Sequence, residues 1–289
     1  MTFVKRAIKL SFKLASGSLP NGADTLDLEG HRVEAIIDNP GGGLAVGSLN
    51  MRVYGMRLAD MNTFSTDGLN ALAVRGDSVT VSAGNEGGQI HQVFEGTITA
   101  AFIDFAGIPD VAFNVQAQAG FLFKVKPAAP NEGKGTVDVA AKIQTIAASI
   151  GFGFKNNGVT SQLSNQYLYG TAIDQIRTLA DAARIACNIE NGIVSIWPNN
   201  GLSDSTILSI SPDNGMVGYP AFTPTGIAVR AEFRPEMQLG RTVRVKSLIA
   251  KACGDWKVQS MRHELSTMTP GGPWFSTCSL TQSGLYVSS

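Results

Sequence analysis

Charged residues are scarce in this chain and balanced in sign. Lys plus Arg and Asp plus Glu each number 23 among 289 residues, so the formal net charge is zero. A dedicated nucleic-acid-binding protein normally carries a basic excess, and the composition argues against one. A sparsely charged surface instead suits a subunit that buries much of its surface in an assembly.

Cysteine is also rare. Cys187, Cys253 and Cys278 are odd in number and share no C-x-x-C spacing. We therefore expect free thiols in a reducing compartment, and neither a disulfide framework nor a zinc site. No apolar run reaches the roughly 18 residues of a membrane span, and the N-terminal apolar residues alternate with Lys9 and Lys13. Neither a membrane span nor a signal peptide is expected.

Recognisable catalytic motifs are missing. His31, His91 and His263 are the only histidines, and the chain has neither G-x-S-x-G nor H-E-x-x-H. Glu95 and Asp104 are candidate paired carboxylates, but on predicted strands a solvated surface explains them. Aromatic residues, 8% of the chain, do not interleave with basic ones as in a base-stacking surface. We predict no enzyme, no catalytic, cofactor-binding or metal site, and no cofactor.

The most glycine-rich stretch is "NPGGGLAVGSLNMRVYGM", residues 39–56. A phosphate-binding loop needs a following helix N-terminus and usually a lysine, and neither is present here. From Leu49 onward apolar residues recur at every second position, at Met51 and Val53, which is the period of a strand. The sequence therefore predicts a turn between two strands.

Residues 1–127 are predicted to form a first β-barrel, because short strand patterns alternate with Gly, Asn and Pro turns. One segment, 57–65, departs from this pattern: Leu58, Met61 and Phe64 recur there at helical spacing. The predicted strands are 3–14, 31–38, 48–55, 77–83, 92–104 and 110–118.

A Pro/Gly/Lys linker, "KPAAPNEGKG", opens a smaller predicted α+β domain over residues 128–205. Thr136 is the expected cap of a first helix, which has an apolar face and ends at Gly151. Thr171 and Asp174 form a variant of the capping box at the start of a second helix. The Asn-Gly pair in "NIENGIVSIWP" then predicts a hairpin.

Strand patterns return in residues 206–289, at 207–211, 227–233, 242–248, 256–265 and 274–280. Six positions match the first segment at a constant offset of 164, and we interpret them as a tandem duplication of the barrel. The predicted fold class is therefore mainly β with a smaller α+β part, in which two antiparallel β-barrels flank a small α+β unit. The matched positions are Gly76 and Gly240, Val79 and Val243, Val81 and Val245, Phe94 and Val258, Gly107 and Gly271, and Pro109 and Pro273.

Four segments together resemble the baseplate hub proteins of contractile-tailed bacteriophages, and the resemblance spans nearly the whole chain. Such hubs have two tail-tube-like β-barrels per chain, and three chains form a ring with pseudo-sixfold symmetry. The segments are "IIDNPGGGLAVGSLNMRVYGMRLADMNTFST", "VFEGTITAAFIDFAGIPDVAFNVQA", "MVGYPAFTPTGIAVRAEFRPEMQLGRTVRVKS" and "GGPWFSTCSLT".

The resemblance implies a homotrimer that joins the hexameric tail tube to the trimeric spike and leaves a channel through which DNA passes without specific binding. The implied partners are the same chain, the tail tube protein and the spike protein, with tape measure and baseplate wedge proteins as further candidates and no membrane. The implied location is the tail baseplate of the virion, after assembly in the host cytoplasm.

The resemblance also implies a role for the connection from Arg57 to Val74, which is longer than its counterpart "RPEMQLG" in the second copy. Leu58, Met61 and Phe64 are the expected interface residues, which would contact a neighbouring barrel. The alternative is that this helix closes the end of its own barrel.

Two other functions remain open at this point: a tail-associated peptidoglycan hydrolase, and a carbohydrate- or nucleic-acid-binding β-barrel module. The sequence also does not separate a phage hub from a domesticated tail or a type VI secretion hub.

Overall fold

Strands dominate the fold. The computed structural model describes residues 5–41, 44–66 and 75–282. Within them the α-helices are α1 Leu58–Phe64, α2 Phe121–Val125, α3 Val139–Ser149 and α4 Ala172–Ala183. The strands are β1 Arg6–Lys13, β2 Thr25–Glu29, β3 Arg32–Asn39, β4 Leu44–Val46, β5 Ser48–Tyr54, β6 Ser78–Asn85, β7 Ile90–Asp104, β8 Ala112–Gln118, β9 Asn131–Asp138, β10 Gly153–Asn156, β11 Gln162–Leu168, β12 Ile185–Glu190, β13 Ile193–Pro198, β14 Ile207–Ile210, β15 Ala221–Thr223, β16 Gly226–Glu232, β17 Thr242–Val245, β18 Gly254–Thr267 and β19 Trp274–Gln282.

The predicted fold class, mainly β with a smaller α+β part, is confirmed. The presence of two closed barrels stays a prediction. None of the helices in the described ranges is long and apolar enough to cross a membrane.

The chain divides into two compact units. The first unit contains the described residues of 1–38, 47–122 and 263–274, and the second contains those of 39–46, 123–262 and 275–289. The second unit has one core around α3 and α4 and another around β16 to β19. The three-domain division at 1–127, 128–205 and 206–289 stays a prediction.

The sheet of the first unit follows the order β3-β5-β8-β7-β6-β1-β2, and each of these pairs is antiparallel. Every second residue faces the core, as in β1, which buries Ile8, Leu10 and Phe12. Val81 lies opposite Leu10 on β6 and is also buried. The alternation seen in the sequence is therefore the inward and outward alternation of these strands.

The second unit repeats this strand order. Its sheet follows β15-β16-β19-β18, and β18 continues to β17 and β14. The order is thus the same as β3-β5-β8-β7-β6-β1, element by element. The outermost strand differs, because β14 is parallel to β17 whereas β1 is antiparallel to β6. The repeated order supports the duplication predicted from the sequence.

Strand pairing corrects one part of the sequence match. Val79 lies opposite Gly96, whereas Val243 lies opposite Trp256. The offset between the copies is therefore 164 at these valines but 160 at the residues that lie opposite them, Gly96 and Trp256. The match of Phe94 with Val258 is wrong by four residues, because the connection between the paired strands is shorter in the second copy.

The α+β part contains α3, α4, a four-stranded sheet in the order β10-β13-β12-β4 and a two-stranded antiparallel sheet of β9 and β11. The cap of α3 is Asp138, whose carboxylate accepts a hydrogen bond from the Ala140 amide at 2.8 Å. Thr136 is not the cap, because residues up to Asp138 still pair with β11. The predicted capping box of Thr171 and Asp174 is confirmed at the start of α4.

The glycine-rich connection between β3 and β5 belongs to a different unit from those strands. Residues 39–46 are part of the second unit, whereas the residues before and after them are part of the first. β3 and β5 pair with each other, as the predicted turn requires, but β4 between them pairs in parallel with β12. Gly41 has a φ of +66°, and a Cβ there would lie 1.7 Å from the Gln259 carbonyl oxygen. Only glycine fits such an approach. Gly42 and Gly43 lie outside the described residues.

We expect Gly41→Ala to destabilise the protein because the added methyl overlaps the Gln259 backbone. The overlap should cost about 1–3 kcal/mol beyond the positive-φ strain. Gly17→Ala is the matched control, since Gly17 also has positive φ, +86°, and no atom lies within 4 Å of the position that its new methyl group would take. Urea denaturation of both variants gives the comparison, and equal losses of stability would contradict the packing role of Gly41.

Candidate interaction surfaces

Helix α1 holds the three residues expected to form an interface. Met61 and Phe64 are buried, at 4% and 0% exposure, whereas Leu58 is 52% exposed. The Phe64 ring lies 5.2 Å from that of Phe12, whose ring in turn lies 6.3 Å from Phe113. Two of the three side chains therefore pack in the core of the first unit. The interface role stays a prediction, and Leu58 is the side chain exposed to serve it; residues 67–74 of the connection lie outside the described ranges.

The tip of the β7-β8 hairpin exposes large apolar side chains. Phe105 is 51% exposed and Ile108 is 69% exposed. The turn is ordered by its own hydrogen bonds: the Asp104 carboxylate accepts from the Ala106 amide at 2.9 Å, and the Asp110 amide donates to the Gly107 carbonyl at 2.7 Å. Apolar groups displayed on a defined turn are typical of protein interfaces.

A second apolar surface follows the edge of the sheet in the second unit; we call residues 216–223 the edge segment. It runs beside β16, where the Val217 amide donates to the Arg230 carbonyl at 2.8 Å and β15 adds three further pairs. Tyr219 and Phe222 are exposed along it, at 63% and 59%. Within the described ranges no strand pairs with the outer side of β15. Such an edge is a template for pairing with another chain.

Several arginines of residues 206–289 are engaged by groups in the second unit. Arg244 donates two hydrogen bonds to Asp255, at 2.7 and 2.8 Å, and these lower the pKa of that carboxyl. Arg241 pairs with Asp204, and the Arg230 guanidinium lies 4.1 Å from the centre of the Phe275 ring. Each of these three arginine side chains therefore has a partner within the chain.

The buried titratable groups include two of the three cysteines and one of the three histidines. Burial raises the pKa of Cys187 and of Cys278 to about 12, so both thiols stay protonated and inert at neutral pH. Burial also lowers the pKa of His263 to about 4. Glu95 and Asp104 lie on β7, nine positions apart along one strand. In the parts of the chain that the structure describes, no three His, Cys, Asp or Glu residues come together as metal ligands.

The fold is that of phage tail proteins and of a related secretion component. A tail protein from Neisseria meningitidis MC58 superimposes with a TM-score of 0.63 at 12% identity, covering 98% of each chain. The 43 kDa tail protein of prophage MuSo2 from Shewanella oneidensis gives 0.60 at 9% identity, covering 95% of this chain and 96% of that one. The E. coli c3393 protein gives 0.57 at 9% identity, covering 94% and 76%; it is described as a type VI secretion component with structural similarity to the T4 tail proteins gp27 and gp5.

The chain belongs to the baseplate hub gp41 family, whose model matches residues 35–270. A sequence search of the curated proteins finds no match. The predicted resemblance to baseplate hubs is therefore confirmed, and the family is one of structural tail components. Sequence reasoning missed the hairpin tip and the edge segment as surfaces, although "DFAGIPD" and "VGYPAF" place apolar residues around turn-forming Gly and Pro.

We expect Phe64→Ala to destabilise the protein by about 3–5 kcal/mol, because it removes a fully buried ring that packs on Phe12. Leu58→Ala is the control on the same helix and should change stability by less than about 0.5 kcal/mol. Guanidinium denaturation gives both values. A small loss at Phe64 would show that α1 is not part of the core in solution.

Folding stability should depend on pH through His263. Its pKa is about 4 in the folded protein, below its ordinary 6.5, so the unfolded chain binds the extra proton between these values. The free energy of unfolding should therefore rise with pH from 4 to 6.5, by up to about 3 kcal/mol, and level off above. His263→Gln should remove this part of the slope. Parallel stability–pH curves for the two proteins would contradict the assignment.

Proposed function

We propose that this protein is a structural, non-enzymatic subunit of a phage tail baseplate hub. Three copies form a ring with pseudo-sixfold symmetry, which joins the hexameric tail tube to the trimeric spike and leaves a channel for DNA. The observation that carries the proposal is the strand order β3-β5-β8-β7-β6-β1, repeated as β15-β16-β19-β18-β17-β14.

The repeated sheet suits a change of symmetry. A chain with two similar sheets presents two similar surfaces, so three chains present six. A sixfold partner can bind surface features that the two sheets have in common, whereas a threefold partner can bind features that differ between them. A chain with a single such sheet would need six copies to meet the tube.

The partners proposed are the same chain, the tail tube protein and the spike protein, followed by the tape measure and baseplate wedge proteins, with no membrane partner. Support comes from the similar structures: one is described as resembling the T4 tail proteins gp27 and gp5, and another is the PdpA-VgrG complex of Francisella, with a TM-score of 0.53. The protein would act in the virion baseplate after assembly in the host cytoplasm.

The charge distribution supports a channel that DNA crosses without sticking. Each phosphate neutralised by a free cation adds favourable, salt-dependent affinity, which would hold DNA back. The chain has no net charge, and Arg241 and Arg244 are paired with carboxylates. The arginines of the second unit are therefore better suited to protein contacts than to DNA.

We expect three hub copies in each complex when the protein is mixed with the spike protein of its own tail. Light scattering with size-exclusion chromatography measures the mass of the complex and so the copy number. A stable complex with one hub per spike trimer would overturn the proposed ring.

Leu58→Asp tests the contribution of α1 in the same assay. Because Leu58 is exposed, the variant should keep the melting temperature of the wild type. Loss of the three-copy complex at unchanged melting temperature would assign α1 to the interface. A three-copy complex of unchanged mass would show that the ring forms without a contact at Leu58 and would contradict the interface role of α1.

A further inference from the structure

Two exposed tyrosines lie next to each other at the end of β11, in the α+β part of the second unit. Tyr167 is 58% exposed and Tyr169 is 72% exposed, whereas Leu168 between them is 1% exposed. Because side chains alternate along a strand, both phenol rings project away from the core that Leu168 joins. The ring centres are 6.3 Å apart and the ring planes are inclined by 32°. The two rings together form one exposed aromatic surface.

The backbone beneath this surface is held in place by hydrogen bonds. Asn131 of β9 lies opposite Leu168, and its amide nitrogen donates to the Gln175 side-chain oxygen at 2.8 Å. Gln175 is fully buried, and its own amide nitrogen donates to the Ala129 carbonyl at 2.9 Å. Just beyond the tyrosines, Thr171 caps α4. The rings are therefore displayed on an ordered backbone, and a ligand that binds them has little chain entropy to overcome.

The side chains around the tyrosines are polar, and few of them are charged. β11 has no charged residue, and Gln162, Ser164 and Asn165 are exposed on it. On β9, the exposed Glu132 lies directly opposite Tyr167. Amides, a hydroxyl and a carboxylate offer both donors and acceptors of hydrogen bonds.

This combination of groups distinguishes between classes of ligand. Aromatic surfaces that stack nucleic-acid bases lie in a basic groove, and β11 supplies no cation. A standard protein interface buries about 800 Å² on each partner, more than two tyrosines supply. A sugar ring has one apolar face of C–H groups and a rim of hydroxyls, so it packs on an aromatic ring and also hydrogen-bonds to polar side chains. The surface therefore suits a neutral glycan best.

We propose that Tyr167 and Tyr169 form a binding site for a neutral oligosaccharide, in which two consecutive sugar rings stack on the two phenol rings. The Glu132 carboxylate, opposite Tyr167, accepts hydrogen bonds from the sugar hydroxyls. All three residues belong to one chain, so the site does not depend on assembly of the proposed ring. It adds a glycan-binding activity to the structural role proposed for the hub.

Saturation-transfer NMR with chitotetraose, cellotetraose and maltotetraose tests the site on the full chain. These neutral tetrasaccharides differ in linkage and in N-acetylation. We expect at least one of them to bind, and we expect the affinity to be independent of salt concentration, because a neutral ligand forms no ion pair. Failure of all three sugars to bind would overturn the proposal, and so would binding that is lost at high salt.

Tyr167→Ala and Tyr169→Ala should each weaken binding about tenfold, because each removes one stacking ring. Both variants should keep the melting temperature of the wild type, since both side chains are exposed. Tyr169→Phe retains the ring and should bind within about threefold of the wild type. Tyr219→Ala is the matched control, because Tyr219 is 63% exposed in the same unit but lies outside β11. Equal losses of affinity in Tyr169→Ala and Tyr219→Ala would contradict the site.

The same variants separate a glycan site from a contact with another tail protein. If Tyr167→Ala reduces the three-copy complex with the spike protein and no tetrasaccharide binds the wild type, the surface is a protein interface and the glycan site is overturned. If a tetrasaccharide binds a chain that forms no three-copy complex, the glycan site stands and the proposed ring is contradicted.

Discussion

Every interior strand of a sheet needs hydrogen-bonding partners along both edges, and this requirement organises the molecule. In the first unit, β3 satisfies it on one side with β5 and on the other with the end of β18. Every neighbouring pair in the order β3-β5-β8-β7-β6-β1 is antiparallel, and β2 covers the far side. The second unit repeats the order, but its β15 is only three residues long and is an edge strand. The difference between the two copies is therefore a difference in how their edges are satisfied.

The period-two patterns gave most strands correctly, because burial on one face imposes that period on the sequence, as in β1. The cap of α4 followed from Thr171 and Asp174, which are local. The cap of α3 did not, since the pairing of β9 with β11 decides where that helix begins. The sequence also did not reveal that the offset between the copies changes by four residues at Gly96 and Trp256. Matched glycines and valines do not determine which residues lie opposite each other in a sheet.

The candidate surfaces were less predictable than the fold for a similar reason. The helical spacing of Leu58, Met61 and Phe64 showed that α1 has an apolar face, but the sequence could not say what that face covers. In the structure two of the three side chains pack into the core of the first unit. The exposure of Phe105 at the β7-β8 tip has only an indirect sequence signal, the turn-forming Gly and Pro beside it, because phenylalanine is as common in a core as on a surface.

The outer borders of the two sheets differ, with a consequence for any assembly built from this chain. β1 is covered on its outer side by β2, whereas β14 has no strand on its outer side within the described ranges. A backbone segment that pairs with the outer side of β14 therefore has no equivalent position beside β1. In a ring of three chains the six sheets would therefore alternate between two different outer borders. A partner with threefold symmetry could then dock in three equivalent orientations and be refused in the three between them.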